Sequence, residues 1–391
     1  MAKIVHITTV HPALDIRIFQ KQCRTLAEAG HDVTLIAPRD NPHTEEVDGV
    51  KICALPKPHG RRERMFHTVR LALRVALSLD ADLYHLHDPE LLTIARRLRR
   101  RGRQCRPVVF DMHENLPKDL LTKPWLPVSL RGPASHAAGL AQRVLLRGIS
   151  VVMAEDSYAA DYPWLPDATI VRNMPLVDEL LTIERHQSKS TVPKLGYMGS
   201  ISPSRGSTAT LEALGILRKQ GIHCGLELVG PMANHSHANE LHEQPGQLGL
   251  DHISITGWLP APEAWQRMAG CQIGLALLQN QPNFVHSFPT KMFEYMALGL
   301  PVVVSDFPLY RQVVESTGCG LCVDSKDPKA IAAAFAQLLN NPEEAQAMGR
   351  RGRRAVVERY RWSEEAKKLL DLYECLIEVS TISITHPRTA A

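Results

Sequence analysis

Several features are missing from these 391 residues, and each absence narrows the field. No window reaches the ~20 uninterrupted apolar residues of a membrane-spanning helix; the best candidate, residues 139–153, is broken by Arg143 and Arg147. Any membrane contact is therefore expected to be peripheral. The opening run Met1-Ala-Lys-Ile-Val-His-Ile-Thr-Thr-Val10 is interrupted by His6, Thr8 and Thr9 and no small-residue cleavage site follows it, so it does not read as a signal peptide. The 8 cysteines are scattered without the paired spacings of a zinc site. One pair, Cys319 and Cys322, lies in an apolar strand-like run and reads as core thiols, which suits a reduced, cytoplasmic protein. With 45 Lys plus Arg against 41 Asp plus Glu, the net charge of +4 is too small to call for a nucleic-acid partner. Neither half opens with G-x-G-x-x-G after its first strand, which disfavours a dinucleotide-dependent dehydrogenase.

What is present describes a large α/β protein. Hydrophobic residues make up 44% and charged ones 22%, enough apolar material for full cores, and the length points to two domains. Short β-branched runs alternate with helix-length amphipathic stretches: residues 3–9, 19–29, 32–37, 83–85, 90–98 and 108–110. That alternation is the mark of βαβ units and a parallel sheet. After a polar stretch at residues 184–191 it restarts, with strands predicted at 194–197, 225–229, 252–256, 273–277 and 301–304. Helices are expected at 208–220, 263–269 and 290–298 and after Pro328 and Glu343, and a last amphipathic helix at 362–377. The domains are drawn at 1–182, 183–360 and 361–391, the last a helix expected to pack back toward the N-terminal domain, followed by a polar tail.

Open α/β sheets bind ligands at the carboxyl ends of their strands, so the loops leaving the strands hold the candidate residues. The first loop places Asp15 at a helix start, as a cap or a functional carboxylate, and Arg17 in the first turn, where a cation opposes the helix dipole and calls for an anion. Two more, His85-Leu-His-Asp-Pro-Glu90 and Asp111-Met-His-Glu-Asn115, set imidazole beside carboxylate. They sit on separate strands and lack helical ligand spacing, so hydrogen bonding is expected of His87, Asp88 and His113 rather than metal binding. His235, His237 and His242 fall in a polar stretch read as solvated surface. In the second half, residues 195–206 run a strand into a small-residue loop before a helix, an anion site to which Arg205 adds a guanidinium fork. At residues 286–294, Pro289 lies near a helix start, Thr290 and Lys291 fall in its first turn, and Glu294 lies one turn on along the same face.

Together Asp15-Ile-Arg-Ile-Phe, Leu26-Ala-Glu-Ala-Gly-His-Asp-Val33, Val171-Arg-Asn-Met-Pro175, the loop at 199–206 and Pro289-Thr-Lys-Met-Phe-Glu-Tyr-Met-Ala-Leu-Gly-Leu-Pro301 resemble glycosyltransferase family 4. The resemblance runs from the first strand to Val357 and is most specific at residues 288–306. It implies the GT-B architecture, two Rossmann-like doubly wound domains facing across a cleft. It also implies transfer of a sugar from a nucleotide diphosphate donor with retention and without metal or other cofactor. By the same resemblance Arg205 meets the donor diphosphate in the second basic position of its loop, while Ser200 stands at the first, beside Gly199. Glu294 matches the second of the family's paired glutamates and holds the ribose; His286 replaces the first. Backbone amides of Ser287, Phe288, Pro289 and Thr290 would line the diphosphate or sugar hydroxyls, Gly257-Trp258-Leu259 the base. His113 matches the N-domain histidine that reaches the donor sugar, and Asp306-Phe-Pro-Leu stands in place of a glycine pair. Developing charge on a departing phosphate needs preorganised cations and a helix N-terminus, which Arg205 and Lys291 would supply.

On the acceptor side, Arg96, Arg97, Arg99, Arg100, Arg101, Arg103 and Arg106 crowd one short stretch, and residues 59–79 form a basic amphipathic segment near Phe66 and Trp125. Both read as solvated helix faces or as contacts with an anionic membrane surface. The leading expectation is a cytoplasmic or peripheral transferase acting on a glycan or lipid-linked acceptor in lipopolysaccharide, O-antigen or exopolysaccharide assembly. The alternatives are a nucleotide-sugar epimerase of the same fold and a catalytically silent sugar-nucleotide or glycan-binding subunit.

Overall fold

A computed structural model describes residues 1–40, 43–101, 104–123, 125–185, 192–232 and 235–385. Part of the linker at 184–191, Arg103 and the tail beyond residue 385 lie outside the described residues. The chain divides into two compact units, one of residues 1–173 and 363–391, the other of residues 174–362.

The first unit is built on an eight-stranded sheet. In chain order its strands are β1 (Lys3–Ile7), β2 (Asp32–Arg39), β3 (Thr44–Val47), β4 (Val50–Pro56), β5 (Leu83–Leu86), β6 (Val108–Met112), β7 (Ser150–Met153) and β8 (Thr169–Ile170), arranged 8-7-6-5-1-2-4-3. All neighbours are parallel except the edge strand β3, which pairs antiparallel with β4. The strands β1, β5 and β6 are buried along nearly their whole length, as expected of a parallel sheet covered on both faces. Strand order reverses between β1 and β5, and the loops leaving β1, β5 and β6 meet at that switch point.

The second unit carries β9 (Lys194–Met198), β10 (Gly225–Val229), β11 (Ile253–Gly257), β12 (Ile273–Ala276), β13 (Val302–Ser305) and β14 (Gly320–Val323) in the order 11-10-9-12-13-14. Numbered within the unit this is 3-2-1-4-5-6, the dinucleotide-fold order, with its switch point between β9 and β12. One core, built on Phe293, Tyr295, Met296 and Tyr310, fills one sheet face; the other is filled by Leu211, Leu214, Ile331 and Phe335.

Boundaries and several elements differ from the sequence reading. The second unit begins at Met174 rather than residue 183, because Val177 and Leu180 of the helix Val177–Leu181 bury their side chains in its core. Trp362 also belongs to that unit, and Ser363 returns the chain to the first. The stretch with three histidines is a helix, His235–Leu248, and His237 is buried with Nε2 2.7 Å from Ser207 Oγ. Strands β3, β4, β7 and β8 were not anticipated.

Candidate active site

The first unit gathers a largely buried polar cluster. His6 of β1 and His85 of β5 are register partners across the parallel ladder, and His87 follows two residues after His85, so all three imidazoles share one sheet face. Their rings stack, with centroids 4.6 to 5.1 Å apart. Burial, reinforced by mutual repulsion, lowers their pKa values, that of His87 to about 3, so all three are neutral at physiological pH.

Asp111, at the end of β6 and fully buried, is the anion of this cluster. Arg17 clamps it with both arms of its fork, Nε to Oδ2 at 2.9 Å and an Nη to Oδ1 at 2.7 Å, while Gln22 Nε2 donates to Oδ2 at 2.7 Å. His113 Nε2 lies 2.9 Å from the same oxygen. Burial opposes ionisation of Asp111, but the Arg17 charge beside it, with the nearby His113 and His87 rings, prevails and holds its carboxyl well below the usual range. Arg17 and Gln22 come from a helix that starts at Ile16 with wide, i to i+5 winding, seen in the Gln20 N–H bond to Asp15 O, a geometry common at functional sites.

The anion that Arg17 needs is therefore internal. Arg17 was expected on the phosphate or acceptor side; only 5% exposed and bidentate on Asp111, it positions that carboxylate instead. His87 and Asp88 are likewise enclosed, each 2% exposed, and held in hydrogen bonds. Asp88 folds the first loop by accepting from Thr8 Oγ1 and the Thr9 N–H, so its oxygens serve the scaffold. Asp15 caps its helix, accepting from the Arg17 and Ile18 N–H groups. Burial opposes its ionisation too, but His11 and the Ile18 N–H outweigh it, and its pKa falls to about 2. His113, with 15% of its side chain exposed, and His11, with 30%, are the imidazoles of the cluster that reach solvent. Two triplets, His6 with His85 and His87, and His87 with Asp111 and His113, are close enough to share a cation. Apart from His85 Nε2, the buried ring nitrogens are paired with one another and with Tyr373, and Arg17 occupies both Asp111 oxygens, so the donor set fits a hydrogen-bonded network better than a metal centre.

In the second unit, the β9 loop and the helix Thr290–Ala297 converge. Gly199 has φ +123°, a backbone angle that favours glycine, and a Cβ there would sit 2.9 Å from Lys291 Nζ. Lys291 is 9% exposed; its Nζ donates to Tyr197 Oη at 2.9 Å, and that hydroxyl donates to Ser200 O at 2.7 Å. Burial and then the Arg205 charge depress the Lys291 pKa to about 7, with Glu294 pulling the other way. Arg205 rests over the Phe284 ring, 5.3 Å from its centre. Two cations approach beside the N-terminus of an eight-residue helix whose N-cap, Pro289, makes no side-chain cap bond. Glu294 lies one turn on, 8% exposed, and accepts from Trp265 Nε1 at 3.3 Å. Trp258 is 72% exposed just past β11, next to Gly257 at φ +73°, with Leu259 partly buried against the core. His286 is exposed, and Ser287, Phe288 and Pro289 complete the segment ahead of the helix. The structure thus brings Gly199, Ser200, Arg205, Lys291 and Glu294 to one switch point.

Two such parallel-sheet α/β units are the architecture of GT-B glycosyltransferases. Solved structures agree on the fold: sucrose-phosphate synthase from Thermosynechococcus elongatus matches with a TM-score of 0.74 at 17% identity, covering 97% of this chain and 100% of that one. The Anabaena HepE protein in complex with UDP and glucose matches at 0.67 and 14% identity, covering 96% and 100%. Residues 179–355 match the family described as Glycosyl transferases group 1, and residues 17–162 the Glycosyl transferase 4-like domain. The chain belongs to the family 4 glycosyltransferases and is an enzyme that uses a nucleotide sugar. A phosphatidyl-myo-inositol mannosyltransferase of Mycobacterium leprae is 26% identical over 360 residues, 90% of this chain and 88% of that protein. A D-inositol 3-phosphate glycosyltransferase of Thermobispora bispora is 26% identical over 191 residues, 46% of this chain and 43% of that protein.

Sequence reasoning missed His6, His85, Gln22, Tyr197 and Tyr373. A signal for two existed: histidines at i and i+2 of a buried strand face the same way, and His6 sits in the neighbouring parallel strand. Tyr373, more than 280 residues from His85, gave none.

Proposed function

We propose that this enzyme transfers a sugar from a nucleoside diphosphate donor to a lipid-linked acceptor, with retention of anomeric configuration and without a metal. The convergence of Lys291 and Arg205 under the Gly199 loop carries the reading: a buried lysine whose pKa has fallen to about 7 beside a guanidinium is a site short of an anion. A diphosphate supplies it. In this reading the two cations and the N–H groups of Ser287, Phe288 and Thr290 stabilise the charge that grows on the departing phosphate. Glu294 accepts from the ribose hydroxyls and Trp258 stacks on the base. The departing phosphate takes the acceptor hydroxyl's proton on the face it leaves, so no protein nucleophile is required. His113, held through Nε2 by Asp111, offers Nδ1 to a sugar hydroxyl. The relatives named for phosphatidylinositol and inositol phosphate favour a glycolipid acceptor over the lipopolysaccharide, O-antigen or exopolysaccharide named from the sequence.

A peripheral membrane surface supports that acceptor. The helical segments Arg61–Glu63 and Arg64–Thr68 expose Met65 (50%) and Phe66 (61%), and Arg61 stacks 3.8 Å over the half-exposed Trp125. Arg62, Arg70 and Arg74 are exposed nearby in sequence. No helix of the described residues is long and apolar enough to cross a membrane. In the other basic stretch Arg106 is neutralised by Asp82 at 3.0 Å, which weakens the case for Arg96–Arg106 as the docking face.

The test is transfer itself. Release of nucleoside diphosphate that requires added lipid-linked acceptor, lost in Arg205→Ala, supports the reading. Interconversion of the donor sugar without acceptor would replace it by epimerisation, and nucleotide binding without turnover by a binding subunit. Anionic vesicles should sediment the wild type, and Phe66→Ser with Trp125→Ser should remain in the supernatant; equal sedimentation removes the membrane surface.

A further inference from the structure

Lys291 and the loop it faces come from distant parts of the second unit, and one phenol joins them. Tyr197, near the end of β9 and 5% exposed, sets its ring centre 4.2 Å from the Lys291 ammonium. Its Oη lies 2.9 Å from Lys291 Nζ and 2.7 Å from Ser200 O. The direction of both bonds follows from the groups themselves. An ammonium has three protons and no lone pair, and a carbonyl oxygen has no proton, so Lys291 donates to the hydroxyl and the hydroxyl donates to Ser200 O. The ammonium keeps two N–H groups that this bond does not use.

A second tyrosine makes the matching bond in the opposite sense. Tyr295, fully buried on the helix Thr290–Ala297, accepts from the Met198 N–H at 2.7 Å. Its ring fills space that Gly274 of β12 leaves open, since a Cβ there would lie 2.4 Å from it. The two hydroxyls thus cross-link the end of β9 and the helix that carries Lys291. They differ in what they hold: Tyr295 takes a backbone N–H, whereas Tyr197 takes the cation. Lys291 needs that support, because its stem is long and flexible and other charges act on it. Arg205, ahead of the helix Ser207–Lys219, repels the ammonium, and Glu294 on its own helix attracts it. Burial pushes the Tyr197 hydroxyl up to about 12 against the pull of Arg205, so the proton given to Ser200 O stays in place.

We propose that Tyr197 is a positioning residue for Lys291, its hydroxyl holding the ammonium against the Gly199–Ser200 loop so that cation and loop meet the donor diphosphate as one preformed set. This rests on the reading of Lys291 as a diphosphate contact. It adds a buried strand residue to a site whose other members stand on loops and a helix, and it makes part of the donor affinity a matter of preorganisation.

The experiment is a double-mutant cycle on nucleotide affinity, with UDP and GDP titrated calorimetrically into the full-length protein at pH 7. Tyr197→Phe keeps the ring and removes one oxygen; it should weaken binding by about tenfold, the scale of one hydrogen bond to a charged group. In the Lys291→Met background the same change should have no further effect, because the group it acts through is gone. NMR of lysine-labelled protein without nucleotide follows the titration of Lys291 itself. In Tyr197→Phe its midpoint should fall by about one pH unit, since the charged form has lost an acceptor. Tyr295→Phe, which removes the other hydroxyl, should leave that midpoint in place. Wild-type affinity in Tyr197→Phe, a loss that persists in the Lys291→Met background, or an unmoved midpoint would each overturn the proposal. A Lys291→Met variant that binds as tightly as the wild type, or a wild type that binds neither nucleotide, would instead remove the underlying reading of Lys291, whatever Tyr197→Phe does.

Discussion

The two units treat buried charge in opposite ways. In the first, Arg17 closes on Asp111, Arg172 pairs with Glu365 of the C-terminal helix, and three histidines avoid charge altogether. In the second, Lys291 and Arg205 lie close enough for one to depress the other, and the Lys291 ammonium donates to the Tyr197 hydroxyl. A site complete in itself presents a fixed template, whereas a site with surplus positive charge awaits an anion. In the function proposed above, the nucleoside diphosphate goes to the second unit and the orientation of hydroxyls to the first.

Removing the anion of the first unit should have the largest effect. Asp111→Ala leaves the Arg17 guanidinium buried and unpaired, a loss of about 3–5 kcal/mol, readable as an early unfolding transition in calorimetry. Replacing both partners, Arg17→Met with Asp111→Leu, should recover part of that stability but not transfer. In the second unit Arg205→Ala should leave stability nearly unchanged and reduce kcat/KM by roughly 10²–10³, as when one donor to a developing anion is lost.

Acid separates the units further. Because burial lowers the pKa values of His6, His85 and His87, their unfolded forms bind protons that the folded forms refuse. Stability is present above the ordinary histidine pKa near 6.5 and is lost as pH falls below it, by at most about 1.4 kcal/mol per pH unit for each ring. Urea unfolding of the first unit at pH 7.5 and 5.0 should show the loss, and His87→Phe, if folded, should shrink it. Trp258→Ala should have the smallest effect, a few-fold rise in donor KM with kcat unchanged, since this indole lies in solvent when no base covers it.

Much of this was legible in the sequence. Helix-forming periodicity, the small-residue loop at 199–206 and the run Pro289-Thr-Lys-Met-Phe-Glu294 put the second site on the page, because its residues are close along the chain and its chemistry is local. The first site was read only in part. Arg17 and His87 are polar residues in loops or at strand ends and look like ligand contacts; a partner 94 positions away, Asp111, buries one of them. Strand β4 was missed because its burial is broken, with Lys51 exposed between buried Val50 and Ile52, and Pro56 exposed after buried Leu55. His237 looked solvated because nothing local announces that Ser207 receives it.

The central claim, that the donor diphosphate completes the charge of the second unit, is tested most directly by calorimetric titration of a nucleotide sugar between pH 6 and 9. Its phosphates are diesters that stay ionised throughout, so Lys291 with its pKa near 7 is the group to follow. Binding should take up a proton above pH 7, with affinity falling by up to about tenfold per pH unit, and Lys291→Met should bind weakly with that pH dependence gone. Equal affinity and equal proton uptake in the wild type and Lys291→Met would contradict the account and place the diphosphate elsewhere.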